Sequence, residues 1–127
     1  MSSETLHEDP EKLGGDVIDH HRAISSLMEE LEAVDWYNQR AKATHDPELR
    51  AVLEHNRDEE KEHAAMVLEW IRRRDPKMDE HLKTYLFTEG AVTAIEAKAT
   101  GGEDSEAPST DGSLGIGSLR KTGGQDQ

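Results

Sequence analysis

Residues 57–66 read RDEEKEHAAM, and they lie inside the row of side chains that decides the fold. Leu49, Leu53, Asn56, Glu60, His63, Val67 and Trp70 follow one another at steps of 4, 3, 4, 3, 4 and 3. That spacing is the stripe a helix buries against a partner. The carboxylate of Glu60 and the imidazole of His63 therefore stand where a packed helix favours leucine. A charged group in an apolar seam must be paired, protonated or bound to a cation.

A matching row precedes it. Ala23, Leu27, Glu30, Val34, Tyr37 and Ala41 step 4, 3, 4, 3 and 4, and Ile24, Met28 and Leu31 widen the stripe. Gly14 and Gly15 precede Asp16, a suitable N-cap, and nothing breaks a helix from there to about Lys42. Asp46-Pro47-Glu48 supplies a cap, a proline at the first helical position and an acid in the first turn. The second helix then runs to about Arg73, where consecutive arginines suit the negative end of the dipole. A link of about four residues makes the pair an antiparallel hairpin. Each helix is about 40 Å long at 1.5 Å per residue. Asp75-Pro76 opens a third, shorter helix with Met78, Leu82, Tyr85 and Leu86 on its apolar positions; Gly90 ends or interrupts it, and residues 91–99 can continue as helix.

Composition limits what such a chain can be. In 127 residues, 33% are hydrophobic and 34% charged, which is thin material for a monomer with a dry core and favours burial between subunits. A net charge of −13 argues against nucleic acid and for the accumulation of cations. The lack of cysteine excludes disulfides and thiolate metal sites. The start, MSSETLHEDPEKLGG, has no basic region followed by an apolar run, and no stretch reaches the length of a membrane span. The expectation is a soluble cytosolic protein that makes no use of a membrane. Its parts are a flexible lead-in over 1–15, a helical domain over 16–97 and, from about 98 to 127, a disordered tail of Gly, Ser, Asp and Thr. The tail carries an aliphatic cluster, SLGIGSLR, over residues 113–120.

The hairpin thus presents Glu30 on one helix and Glu60-x-x-His63 on the other. The i, i+3 spacing places Glu60 and His63 on one face, one turn apart. Two carboxylates and one imidazole suit iron or manganese better than zinc. The set is also half of a known arrangement: di-iron helical bundles take one Glu from each of two helices and Glu-x-x-His from each of two others. Two hairpins about a twofold axis would complete it as a four-helix bundle, making metal binding and dimerisation one event. The other Glu-x-x-His, Glu4 to His7, has no apolar row.

SSLMEELEAVDWYNQR, HNRDEEKEHAAMVLEW and HLKTYLFTEG, in that order, closely resemble the encapsulated ferritin family over about residues 16–97. The resemblance implies a ferritin-like, all-α ferroxidase: an antiparallel two-helix hairpin plus a short third helix, dimerising around a di-iron centre with two irons per dimer interface and assembling into a ring, expected to be a decamer. It implies that Glu30, Glu60 and His63 are the catalytic iron ligands and that Glu29 and Glu32 admit the metal. Trp36 and Tyr37 become the aromatic pair near the centre, and His55, Glu59 and Glu62 a peripheral metal site. It further implies that Leu114, Ile116 and Leu119 dock the tail on an encapsulin shell protein, placing the chain in the lumen of an encapsulin nanocompartment within the cytoplasm. Against ordinary ferritin the chain has half the helices and half the ligands, so a shell rather than this protein would hold the iron mineral.

Without the resemblance, Glu29 and Glu32 read as a solvated acid pair, Trp36 as an interface anchor and Tyr37 as core packing. His20, His21, His45 and His81 have no matching partners. The rival function is a non-enzymatic helical cargo or scaffold protein that binds divalent metals, since ligands for iron also take zinc or manganese.

Overall fold

The computed structural model describes residues 5–101. Regular structure among them is entirely helical: α1 (Pro10–Ala43), α2 (Pro47–Arg74), α3 (Pro76–Tyr85) and α4 (Val92–Thr100). The protein is all-α, as its periodicities require.

Helical geometry begins at Pro10, earlier than the expected start at Asp16. The signal is the one that opens α2, because Asp9-Pro10-Glu11 repeats Asp46-Pro47-Glu48. The Asp9 carboxylate accepts the Glu11 N–H at 3.0 Å, and Pro10 occupies a position whose N–H would have had no partner. Gly14 then interrupts the helix with φ 82° and ψ 161°, a conformation closed to residues with a Cβ. The long uninterrupted segment follows it, so the glycine pair marks a kink and not the end of an unstructured lead-in.

Thr44, His45 and Asp46 connect α1 to α2. Thr44 N–H returns to Arg40 O at 3.1 Å, and the Asp46 carboxylate accepts Glu48 N–H at 3.0 Å and Leu49 N–H at 3.4 Å. Arg50 ties the two helices together. Its Nε donates to Ala41 O at 2.9 Å and its Nη2 donates to Thr44 O, satisfying carbonyls that the end of α1 leaves open. Contacts along the hairpin run in opposite directions on the two helices: Ala41 meets Arg50, Asn38 meets Arg57, Glu30 meets His63 and His20 meets Trp70. The hairpin is antiparallel.

Its interior is narrow. Ala41, Ala64 and Ile71 are the buried apolar side chains of the pair among the described residues. The rows expected from the sequence line the seam as half-buried side chains, including Leu27, Glu30, Val34, Tyr37, Leu53, Glu60, His63, Val67 and Trp70. Leu49, at the mouth of the hairpin, is exposed instead. Ile24, Met28 and Leu31, which widen the α1 stripe, stay 46%, 43% and 54% exposed, because a two-helix hairpin covers only one side of each helix. At the far end of α2, Glu69 accepts from Arg72 at 2.8 Å and from Arg73 at 2.7 Å. These guanidinium groups, Arg72 first, lower its pKa to about 2.

The chain divides into two units, Met1–Pro76 and Lys77–Gln127. In the second, α3 carries the i, i+3 pair Lys77–Glu80 and the i, i+4 pair Lys83–Asp79, each at 3.1 Å. Leu82 and Tyr85 are half-buried, and Ala97 of α4 is buried. Burial, then the Glu96 carboxylate, raises the Tyr85 pKa. Between α3 and α4 the backbone turns through positive φ at Phe87 (61°) and Gly90 (91°), so the helix is interrupted around Gly90, as expected, and resumes as α4.

Candidate metal centre

Glu30 sits midway along α1, and Glu60 and His63 sit one turn apart midway along α2. All three are half-buried. Because the hairpin is antiparallel and its link short, these midpoints face each other. His63 Nδ1 lies 3.3 Å from Glu60 Oε1 and 3.6 Å from Glu30 Oε1. One donor atom from each residue falls within 4.8 Å of the other two, close enough for a single cation to touch all three. Among the described residues this is the group of three His, Asp or Glu side chains that converges in this way.

The electrostatics express the same convergence. The Glu30 carboxyl is raised, chiefly by its hydrogen bond with Glu60 and then by burial and the Glu60 charge. Glu60 is lowered, first by that same hydrogen bond from Glu30 and then by its hydrogen bond with His63. The His63 imidazole is raised, first by its hydrogen bond to Glu60 and then by the charges of Glu30, Glu60 and Glu59. Two carboxylates this close cannot both ionise without an intervening positive charge. A divalent cation would supply that charge, and the donor set fits a metal: carboxylate-rich, with one imidazole and no sulfur.

The remaining residues singled out in the sequence are placed as follows. Glu29 and Glu32 are exposed on α1, on either side of Glu30. His55 Nε2 lies 3.7 Å from Glu59 Oε2 on the exposed side of α2, and Glu62 is exposed on the same helix. Trp36 is 49% exposed and Tyr37 half-buried. Leu114, Ile116 and Leu119 lie outside the described residues.

Three features escaped the sequence reading. Arg40 reaches both aromatics, with its guanidinium carbon 5.9 Å from the Trp36 ring centre and 5.7 Å from that of Tyr37; the i, i+4 and i, i+3 spacings signalled it. His20, which had no assigned partner, meets the Trp70 ring edge-on at 5.6 Å, across helices and hence invisible to any local spacing. Glu59, read only as a peripheral acid, brings Oε1 to 4.0 Å from His63 Nε2, on the opposite side of the ring from Glu30 and Glu60.

A sequence model of the EncFtn-like family matches residues 5–89. The chain belongs to that family. It is 61% identical over 127 residues to an encapsulated ferritin-like protein of Rhodospirillum rubrum, covering 94% of this chain and 91% of the relative. It is 37% identical over 106 residues to the encapsulin nanocompartment cargo protein EncC of Myxococcus xanthus, covering 76% of this chain and 80% of that one. A Nitrosomonas europaea protein of known crystal structure shares 62% identity and superposes with a TM-score of 0.66, over 68% of this chain and 94% of that chain. Among the described residues of this EncFtn-like chain, no helix is long and apolar enough to cross a membrane.

Proposed function

We propose that this EncFtn-like protein is a ferroxidase, oxidising Fe(II) to Fe(III) with dioxygen as electron acceptor, at a di-iron centre shared by two copies of the chain. The observation that carries the reading is the convergence of Glu30, Glu60 and His63 donors within 4.8 Å of one another in the middle of a ferritin-like hairpin. One copy supplies two carboxylates and one imidazole, which is half of a di-iron set. A second copy related by a twofold axis would add the other half. In that arrangement Glu30, Glu60 and His63 of each copy would hold the irons, whose electrons would reduce dioxygen. Iron is here the substrate. Positions left open by so few protein ligands give dioxygen access.

The exposed acids Glu29 and Glu32, flanking Glu30 on α1, would draw Fe(II) toward the centre. The His55–Glu59 pair, with Glu62, would hold metal outside it. Trp36 and Tyr37 would serve as the aromatic pair near the centre. The Rhodospirillum and Myxococcus relatives are named as encapsulated or as encapsulin cargo, which supports an encapsulin shell as partner, the lumen of that nanocompartment as location and the shell as container of the mineral.

The test is dioxygen consumed per Fe(II) added to metal-free protein. Wild type should show rapid, saturable consumption. Glu30→Ala, Glu60→Ala and His63→Ala should each slow it by more than the ~10–100-fold that loss of an outer-shell partner costs. Metal uptake without ligand-dependent dioxygen use would make the chain a metal-binding cargo protein instead. Oxidation at wild-type rate in all three variants would place the chemistry elsewhere.

A further inference from the structure

Between the last turns of α1 and the first turns of α2 lies a cleft of about 360 Å³ lined by Asn38, Ala41, Lys42, Arg50, Glu54 and Arg57. In a chain of net charge −13, this concave site gathers three cations against one lining carboxylate. Two of the cations are held in place. Arg50 is fixed by the carbonyls of Ala41 and Thr44. Arg57 donates from Nε to Asp58 Oδ1 and from Nη1 to Asn38 Oδ1, both at 3.0 Å, and its side chain is only 22% exposed. Among the described residues, Arg50 Nη1, Arg57 Nη2 and Lys42 Nζ have no hydrogen-bonding partner. Hairpin closure alone does not require Lys42 or Arg57 here, since Arg50 already satisfies the open carbonyls.

We propose that this cleft is a binding site for a small oxyanion of the phosphate class. A tetrahedral anion offers several strong acceptors at once. The site offers two guanidinium edges and one ammonium, the first pair pre-positioned so that little side-chain freedom is lost on binding. The Glu54 and Asp58 carboxylates offset part of the positive charge, which favours a compact anion held by directed N–H groups over loose attraction to a patch. The cleft does not depend on the ferroxidase reading, because none of its lining residues belongs to the metal centre.

The experiment titrates inorganic phosphate into metal-free, full-length protein at low ionic strength, read by ³¹P line broadening and by calorimetry. One site per chain is expected. Arg57→Gln and Lys42→Gln should each weaken the dissociation constant by at least about tenfold with unchanged circular dichroism, while Arg40→Gln, a cation outside the cleft, should leave it unchanged. Saturable binding with this pattern supports the site. Absence of binding in wild type overturns it, as does equal binding in the cleft variants. It is also overturned if the cleft variants change the oligomeric mass by light scattering while phosphate remains silent, because the cleft would then receive a carboxylate of a second copy and no free anion.

Discussion

Arg50 and His63 show how single side chains in this hairpin act across the chain. Arg50 begins α2 yet closes α1, through hydrogen bonds to Ala41 O and Thr44 O. Its loss leaves part-buried carbonyls without a donor, so Arg50→Ala should destabilise the metal-free protein by about 1–3 kcal/mol, measured by urea unfolding. Arg50→Lys should recover little of that, because one ammonium cannot reproduce two parallel N–H groups. His63 acts through charge. Its pKa is raised above the ordinary 6.5, chiefly by Glu60, so the folded state binds its proton more tightly than the unfolded state does. The resulting stabilisation is complete below pH 6.5 and is lost as pH rises through the higher folded value. In metal-free protein, Tm should therefore fall across the window just above pH 6.5, and His63→Gln should flatten that slope. Metal affinity should move the other way, rising with pH through the same window as the proton leaves Nδ1. A Tm profile identical in wild type and His63→Gln would show that the imidazole is not coupled to its carboxylates.

At the scale of the element, α1 is a helix with two apolar faces and, among the described residues, one partner helix. Leu27, Val34 and Tyr37 look toward α2, while Ile24, Met28 and Leu31 remain exposed. Leu31 adjoins Glu30, so whatever covers that stripe also adjoins the candidate metal site. If two copies share the centre, the apolar stripe offsets the repulsion between their carboxylates, and metal bound only in the dimer favours association by mass action. Adding Fe(II), or a redox-inert divalent mimic, should raise the average mass in light scattering. Leu31→Asp should prevent that rise even at saturating metal, because it places a further charge in the interface. The same mass with and without metal in wild type would break the link between binding and assembly.

At the scale of the whole molecule, the helical hairpin carries the candidate site and the sequence continues into a polar segment with an aliphatic cluster. Among the described residues, Ala41, Ala64, Ile71 and Ala97 are the buried apolar side chains, so the body has little core of its own and gains stability from further burial. The cluster Leu114-Gly115-Ile116-Gly117-Ser118-Leu119 lies beyond the described residues. If it docks on a shell wall, each copy holds weakly and a ring of copies holds strongly, through effective concentration. Deleting residues 109–127 should leave dioxygen consumption unchanged and abolish co-purification with an encapsulin. Full loading of the truncated protein would remove the docking role, and loss of activity would show that the segment belongs to the fold.

The helices were legible because their signals are local. Asp46-Pro47-Glu48 needs only adjacent residues to cap a helix, and the 4-3 spacing of Leu53, Asn56, Glu60, His63 and Val67 needs only the period of the helix itself. The same Asp-Pro-Glu signal at residues 9–11 was present and was masked by the glycine pair that follows it. Gly14 proved to be a kink because its conformation depends on how the backbone continues on both sides. For the site, the residues alone determined that Glu60 and His63 share a face and that Glu30 lies on the corresponding row. Tertiary structure decided the rest: that His63 turns Nδ1 toward both carboxylates and Nε2 toward Glu59, that His20 meets Trp70, and that Arg57 finds Asn38 nineteen positions away. Those contacts depend on the rotation of one helix about its axis relative to the other. A heptad row restricts that rotation to a face, and side-chain packing across the seam selects the atoms that touch.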